Sequence, residues 1–109
     1  MKIQITCKGL EHTPELDEHI HKHSEKIMRL LEHERSPVTV EFVIEHRPSH
    51  AHYAVHLHII SPAYEVNVQR EGQKLYPVFD EVLHIAHDAL HKEKARHVHD
   101  HKQGPHRPG

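Results

Sequence analysis

Histidine supplies most of the side chains in this chain that could do chemistry: there are 17 among 109 residues. In the stretch HIAHDALHKEK, His84, His87 and His91 recur at helical spacing and form a stripe. His19/His23, His87/His91 and His97/His101 each stand one helical turn apart, while His50/His52 and His56/His58 each share a strand face. Paired imidazoles can hold zinc or nickel, and they can take up protons near neutral pH. At this histidine density some such pairs arise by chance, and no cysteine accompanies them. The spacing therefore favours exposed histidines that bind metals adventitiously over a selective structural site, and no metal or other cofactor is expected.

A second set of residues is cationic. Lys22, Lys26 and Arg29 make a row at i, i+4 and i+7, and Lys92, Lys94 and Arg96 follow the histidine stripe. Such rows suit phosphate contact, although Glu18 one turn before Lys22 also fits simple helix pairing. The formal charge is −2 with histidine neutral, which by itself argues against a nucleic-acid binder, since such domains usually show a clear basic excess, and no DNA partner is expected. Because imidazole ordinarily titrates near 6.5, about eight positive charges appear as the pH approaches that value. The sign of the net charge is thus adjustable around neutrality. Motifs for catalysis are missing: the sequence holds no glycine-rich phosphate loop, no H-E-x-x-H and no G-x-S-x-G, and Cys7 falls on an inward position. We expect no enzyme activity.

The elements that must position these residues are legible from their periods. Ile3, Ile5 and Cys7 alternate as the inner face of a first strand. After Gly9, Thr13 suits an N-cap and Pro14 the first helical position. Leu16, Ile20, Ile27 and Leu31 then fall in one angular sector, predicting a single amphipathic helix that ends before Ser36-Pro37. From Val38 the period becomes two, predicting a hairpin of two strands through Ile59 and a further strand over Tyr64, Val66 and Val68. The last element opens at KLYPVF as a helix whose buried side is Leu75, Phe79, Val82, Ala86, Ala89 and Leu90, with the histidine stripe opposite.

The predicted fold is α+β, in the order β-α-β-β-β-α, with a four-stranded sheet and two helices packed on one face. A chain of this length forms one domain; it is expected over residues 1–96, followed by a histidine-rich, disordered tail over 97–109. No apolar run is long enough to span a bilayer, and MKIQITCKGL does not read as a secretion signal, so a soluble cytoplasmic protein is expected.

Three segments in this order resemble the ribosome hibernation promoting factor family, also called ribosome-associated translation inhibitors or ribosomal subunit interface proteins. IQITCKGLEHTPEL is similar to the family's opening strand, turn and helix start; VTVEF is similar to its second strand; KLYPVFDEV resembles the D-M-Y-x-A-I-D opening of its last helix. The resemblance covers about residues 2 to 96. It implies a domain that lodges on the small ribosomal subunit at the subunit interface, contacts ribosomal RNA phosphates with basic helix faces, blocks translation and protects idle ribosomes under stress. Lys8, Lys26, Arg29 and Lys92 match basic positions of the family, whereas His23, Lys74, Pro77 and Asp88 depart from its pattern. The length matches the short form, without the dimerisation domain of the long form, which implies a monomer off the ribosome. The expected RNA-binding set is Lys8, Lys22, Lys26, Arg29, His84, His87, His91, Lys92, Lys94 and Arg96. The competing reading is a histidine-rich protein that binds nickel or zinc on the same fold.

Overall fold

The computed structural model describes the backbone of residues 1–106 and the side chains as far as Arg96. Strand β1 (Lys2–Lys8) is followed by helices α1 (Pro14–His23) and α2 (Glu25–Leu31), strands β2 (Thr39–Arg47), β3 (His52–Ile60) and β4 (Glu65–Gly72), and helix α3 (Leu75–His106). β1 runs parallel to β2, and β2, β3 and β4 form an antiparallel meander, giving the sheet order β1-β2-β3-β4. The α+β fold and the mixed sheet are those expected from the sequence. Among the described residues no helix is long and apolar enough to cross a membrane. Of the stretch 97–109, expected as a disordered tail, the side chains lie outside the described residues, and so does the backbone of its last three positions.

Among the described residues there are three α-helices, besides one 3-10 turn at Pro48–His50 between β2 and β3, where the sequence predicts two helices. Thr13 caps α1 as expected, its Oγ1 accepting the Leu16 N–H at 3.2 Å with Pro14 in the first turn. The helix then breaks at Ser24, which is buried and has φ −90° and ψ 0°. Its N–H and its hydroxyl both donate to the Ile20 carbonyl, at 3.0 and 2.5 Å. A serine that bonds back onto the preceding turn bends a helix in this way. The apolar stripe survives the bend, because Leu16 and Ile20 before it and Ile27 and Leu31 after it are all buried.

The core lies between these helices and one face of the sheet. Val40, Phe42 and Ile44 of β2 and Val55, Leu57 and Ile59 of β3 are fully enclosed, and α3 lies over β3 and β4 with Phe79, Val82, Ala86 and Leu90 turned inward. The Phe42 and Phe79 rings meet with centroids 5.5 Å apart. One inward position fails: Ile3 is 40% exposed, while Ile5 and Cys7 are partly buried against the core. β1 is an outer strand paired on one side only, so its apolar face is covered only along its later half.

Candidate nucleic-acid interface

Lys22 and Lys26 sit on either side of the Ser24 bend, and both are exposed. Among the described residues neither has a carboxylate within 4 Å. Arg29 is also exposed, but its Nη2 donates to Glu25 Oε1 at 2.5 Å one turn earlier. An exposed helix pair of this kind is worth only about 0.3–0.5 kcal/mol and is readily exchanged for a phosphate. The row read from the sequence is therefore exposed throughout, with two lysines and one loosely held arginine.

α3 brings two members of the histidine stripe alongside Lys26. His23, Lys26 and Ile27 line one wall of an open groove of about 450 Å³, and Asp80, Leu83, His84, His87 and Asp88 line the other. Thus Lys26, His84 and His87, separated widely in the chain, share one surface. His84 is exposed, and its Nε2 lies 3.5 Å from Asp88 Oδ2; His87 is partly buried, with Nδ1 3.9 Å from Asp88 Oδ1. His91 is exposed and meets the His87 ring edge-on at 4.6 Å. Asp80 and Asp88 give the groove a mixed charge when the imidazoles are neutral and a cationic excess when they are protonated.

The remaining expected residues are placed differently. Lys92 is exposed next to His91, with no carboxylate within 4 Å among the described residues. Lys94 turns toward α2, where its ammonium donates to the Leu30 carbonyl at 2.9 Å and to Glu34 Oε1 at 2.8 Å. Near Glu34 lies the buried Tyr64, whose hydroxyl is pushed well above the usual phenol range by burial first, and then by the neighbouring Glu34 and Glu93 carboxylates. Arg96 folds back on Glu93 with both carboxylate oxygens at 2.7 Å. Lys8 ends β1 opposite Glu45, on the sheet face away from the helices.

That open sheet face is histidine and acid in alternation. His52 Nε2 lies 2.9 Å from Glu71 Oε1, Arg47 pairs with Glu71 and Glu45, His58 pairs with Glu65, and His56 pairs with Asn67. Burial raises the Cys7 thiol, and the Ser24 hydroxyl is committed to a carbonyl.

Sequence reasoning missed His19 and Asp80 as a unit. His19 Nε2 approaches Asp80 Oδ1 to 3.0 Å, with its ring stacked between His23 at 4.0 Å and Tyr76 at 4.2 Å. The donor atoms of His19, His23 and Asp80 all lie within 4.8 Å of one another, a geometry open to a metal ion. The only signal in the sequence was the spacing of His19 and His23; the contact with Asp80 depends on how α1 and α3 pack.

Residues 3–98 match the family described as Sigma 54 modulation protein / S30EA ribosomal protein. Among solved structures, the N-terminal domain of Protein Y from Thermus thermophilus superposes with a TM-score of 0.67 at 18% identity, covering 83% of this chain and 96% of that one. A ribosomal subunit interface protein from Coxiella burnetii superposes with a TM-score of 0.69 at 21% identity, covering 87% of this chain and 99% of that one. At these identities the two likenesses establish a shared fold. No curated protein sequence matches.

Proposed function

The chain belongs to the Sigma 54 modulation protein / S30EA ribosomal protein family, and from that membership we propose that it is a ribosome-associated inhibitor of translation. It binds the small ribosomal subunit at the subunit interface, in the cytoplasm, and stabilises idle ribosomes under stress. It arrives as a monomer, performs no chemistry and acts by occupying its site. The observation that supports this reading is the joint surface of α1, α2 and α3, where Lys26 and His23 lie across one groove from His84 and His87, with Lys22 and Arg29 exposed on the same two short helices.

A row of exposed cations is what ribosomal RNA phosphates require, because such contacts are electrostatic and need position more than shape. Lys92 extends the row along α3, and Lys8 offers a separate contact from the far end of β1. Lys94 and Arg96 contribute through the field they add, since their side chains are already held by Glu34 and Glu93. Ribosome binding by such a surface weakens steeply between about 50 and 200 mM salt.

The test is cosedimentation with purified small subunits. Reversing Lys22, Lys26 and Arg29 together to Glu should abolish association while leaving the circular dichroism spectrum unchanged, as all three side chains are exposed. Unaltered cosedimentation of the triple variant would remove this face from the binding site.

A further inference from the structure

We propose that His19, His23 and Asp80 form a binding site for one divalent transition metal ion of the zinc or nickel class, joining α1 to α3. His19 and His23 are one turn apart on α1, so their rings leave the helix on the same side. Asp80, near the start of α3, places one carboxylate oxygen 3.0 Å from His19 Nε2 and 3.9 Å from His23 Nδ1. Bonds of about 2.0–2.2 Å in a tetrahedral arrangement set neighbouring donor atoms roughly 3.4 Å apart. With all three donors within 4.8 Å of one another, closing on an ion takes side-chain movements on the order of 1 Å.

A plain hydrogen-bonded pair of His19 and Asp80 would account for one imidazole. It leaves unexplained the second imidazole aimed at the same carboxylate oxygen. Two neutral imidazoles and a carboxylate are the donor set that zinc and nickel accept, and the three leave at least one position for water. The site is also braced: the His19 ring lies between those of His23 and Tyr76, and its side chain is only 17% exposed. Fixing a ligand's ring plane before the ion arrives raises affinity.

Among the described residues the other histidine pairs lack this convergence. His56 and His58 are 6.1 Å apart, and each has its own partner on β4, Asn67 and Glu65. His87 and His91 have near them Asp88, which comes from the same helix. Among the described residues only His19, His23 and Asp80 gather three ligating groups.

The experiment uses the full chain, stripped with a chelator and then titrated with Zn²⁺ and, separately, Ni²⁺ by calorimetry. The wild type should show a tightest class of one ion per chain. That class should disappear in the His19→Gln/His23→Gln variant and weaken at least roughly tenfold in Asp80→Asn. It should persist in His56→Gln/His58→Gln, His87→Gln/His91→Gln and His97→Gln/His101→Gln. Zn²⁺ at about a hundredfold excess over its Kd should raise the wild-type Tm by roughly 10 °C, and Asp80→Asn should lose most of that rise. Co²⁺ should give visible absorption bands in the wild type that change in Asp80→Asn. If His19→Gln/His23→Gln fails to fold, Asp80→Asn decides, because it keeps the shape of the side chain. A tightest class that is unchanged in Asp80→Asn, or that vanishes in any of the other three pairs, would overturn the site.

Discussion

Glu71 on β4 shows how one residue ties this fold to pH. It is exposed, yet its carboxyl is held below the usual carboxylate range, first by the hydrogen bond from His52, which outweighs the opposing desolvation, and then by the Arg47, His52 and His50 charges. A lowered acid contributes stability above its unfolded value, about 4.3, and loses that contribution as the pH falls through the folded value. Glu71→Gln should therefore lower the urea midpoint at about pH 7 and lower it much less at about pH 3, flattening the acid limb of the stability curve. The same loss at both pH values would mean that Glu71 acts through its shape and not its charge.

At the scale of elements, Lys92 and Lys94, which follow the last buried leucine of α3, separate stability from binding. Lys94 anchors α3 to the end of α2 through the Leu30 carbonyl and the largely buried Glu34, whereas Lys92 faces solvent. Lys94→Ala should cost about 1–2 kcal/mol in chemical denaturation, because Glu34 loses a charged partner. Lys92→Glu should leave stability unchanged and weaken ribosome association. The sequence could not distinguish the two, since both follow the last buried leucine and a helical period says nothing of what a neighbouring helix offers. Other elements were legible for a physical reason. The strands β2, β3 and β4 each bury one face, so alternation reports them directly, and Thr13-Pro14 carries its own capping chemistry. The Ser24 bend was hidden because Ile20 and Ile27 keep the same stripe across it, and serine has no fixed preference for bending. Ile3 was read as inward from alternation alone, which cannot see that β1 lies at the sheet's edge. His19 and Asp80 meet across 61 positions, a distance over which no local pattern speaks.

For the molecule as a whole, the relevant quantity is charge as the ribosome meets it. With 17 histidines and a formal charge of −2, the protein approaches a polyanion close to neutral and becomes cationic as protons are added. In the groove, His84 and His87 are faced by Lys26 and His23 from the neighbouring helices and by Asp80 and Asp88 from their own. Asp88 lies beside both imidazoles and competes with phosphate for them once they are charged. If this groove meets ribosomal RNA as proposed, protonation and binding strengthen one another, with the two acids partly offsetting the gain. If His84, His87 and His91 each contribute about 0.5 kcal/mol, small-subunit affinity should rise roughly tenfold from about pH 7.5 to about pH 6.0. A variant with Gln at all three positions should lose most of that rise; an equal rise in both proteins would assign the effect elsewhere.

The position of β1 at the edge of the sheet also sets an order of assembly. Arg47 lies opposite His52 across one short turn, and Ile60 lies opposite Glu65 across another, so β2, β3 and β4 can pair as soon as they collapse. β1 must instead pair Lys2 with Thr39, which requires both crossover helices to be in place and a long loop to be closed. The meander should therefore form the folding nucleus and β1 should dock after it. In stopped-flow kinetics Leu57→Ala should slow folding, whereas Ile5→Ala should mainly speed unfolding, with a φ-value below about 0.3. On a ribosome making this chain, β1 is the first of the strands to emerge, yet it waits unpaired until α1, α2 and β2 have followed it out.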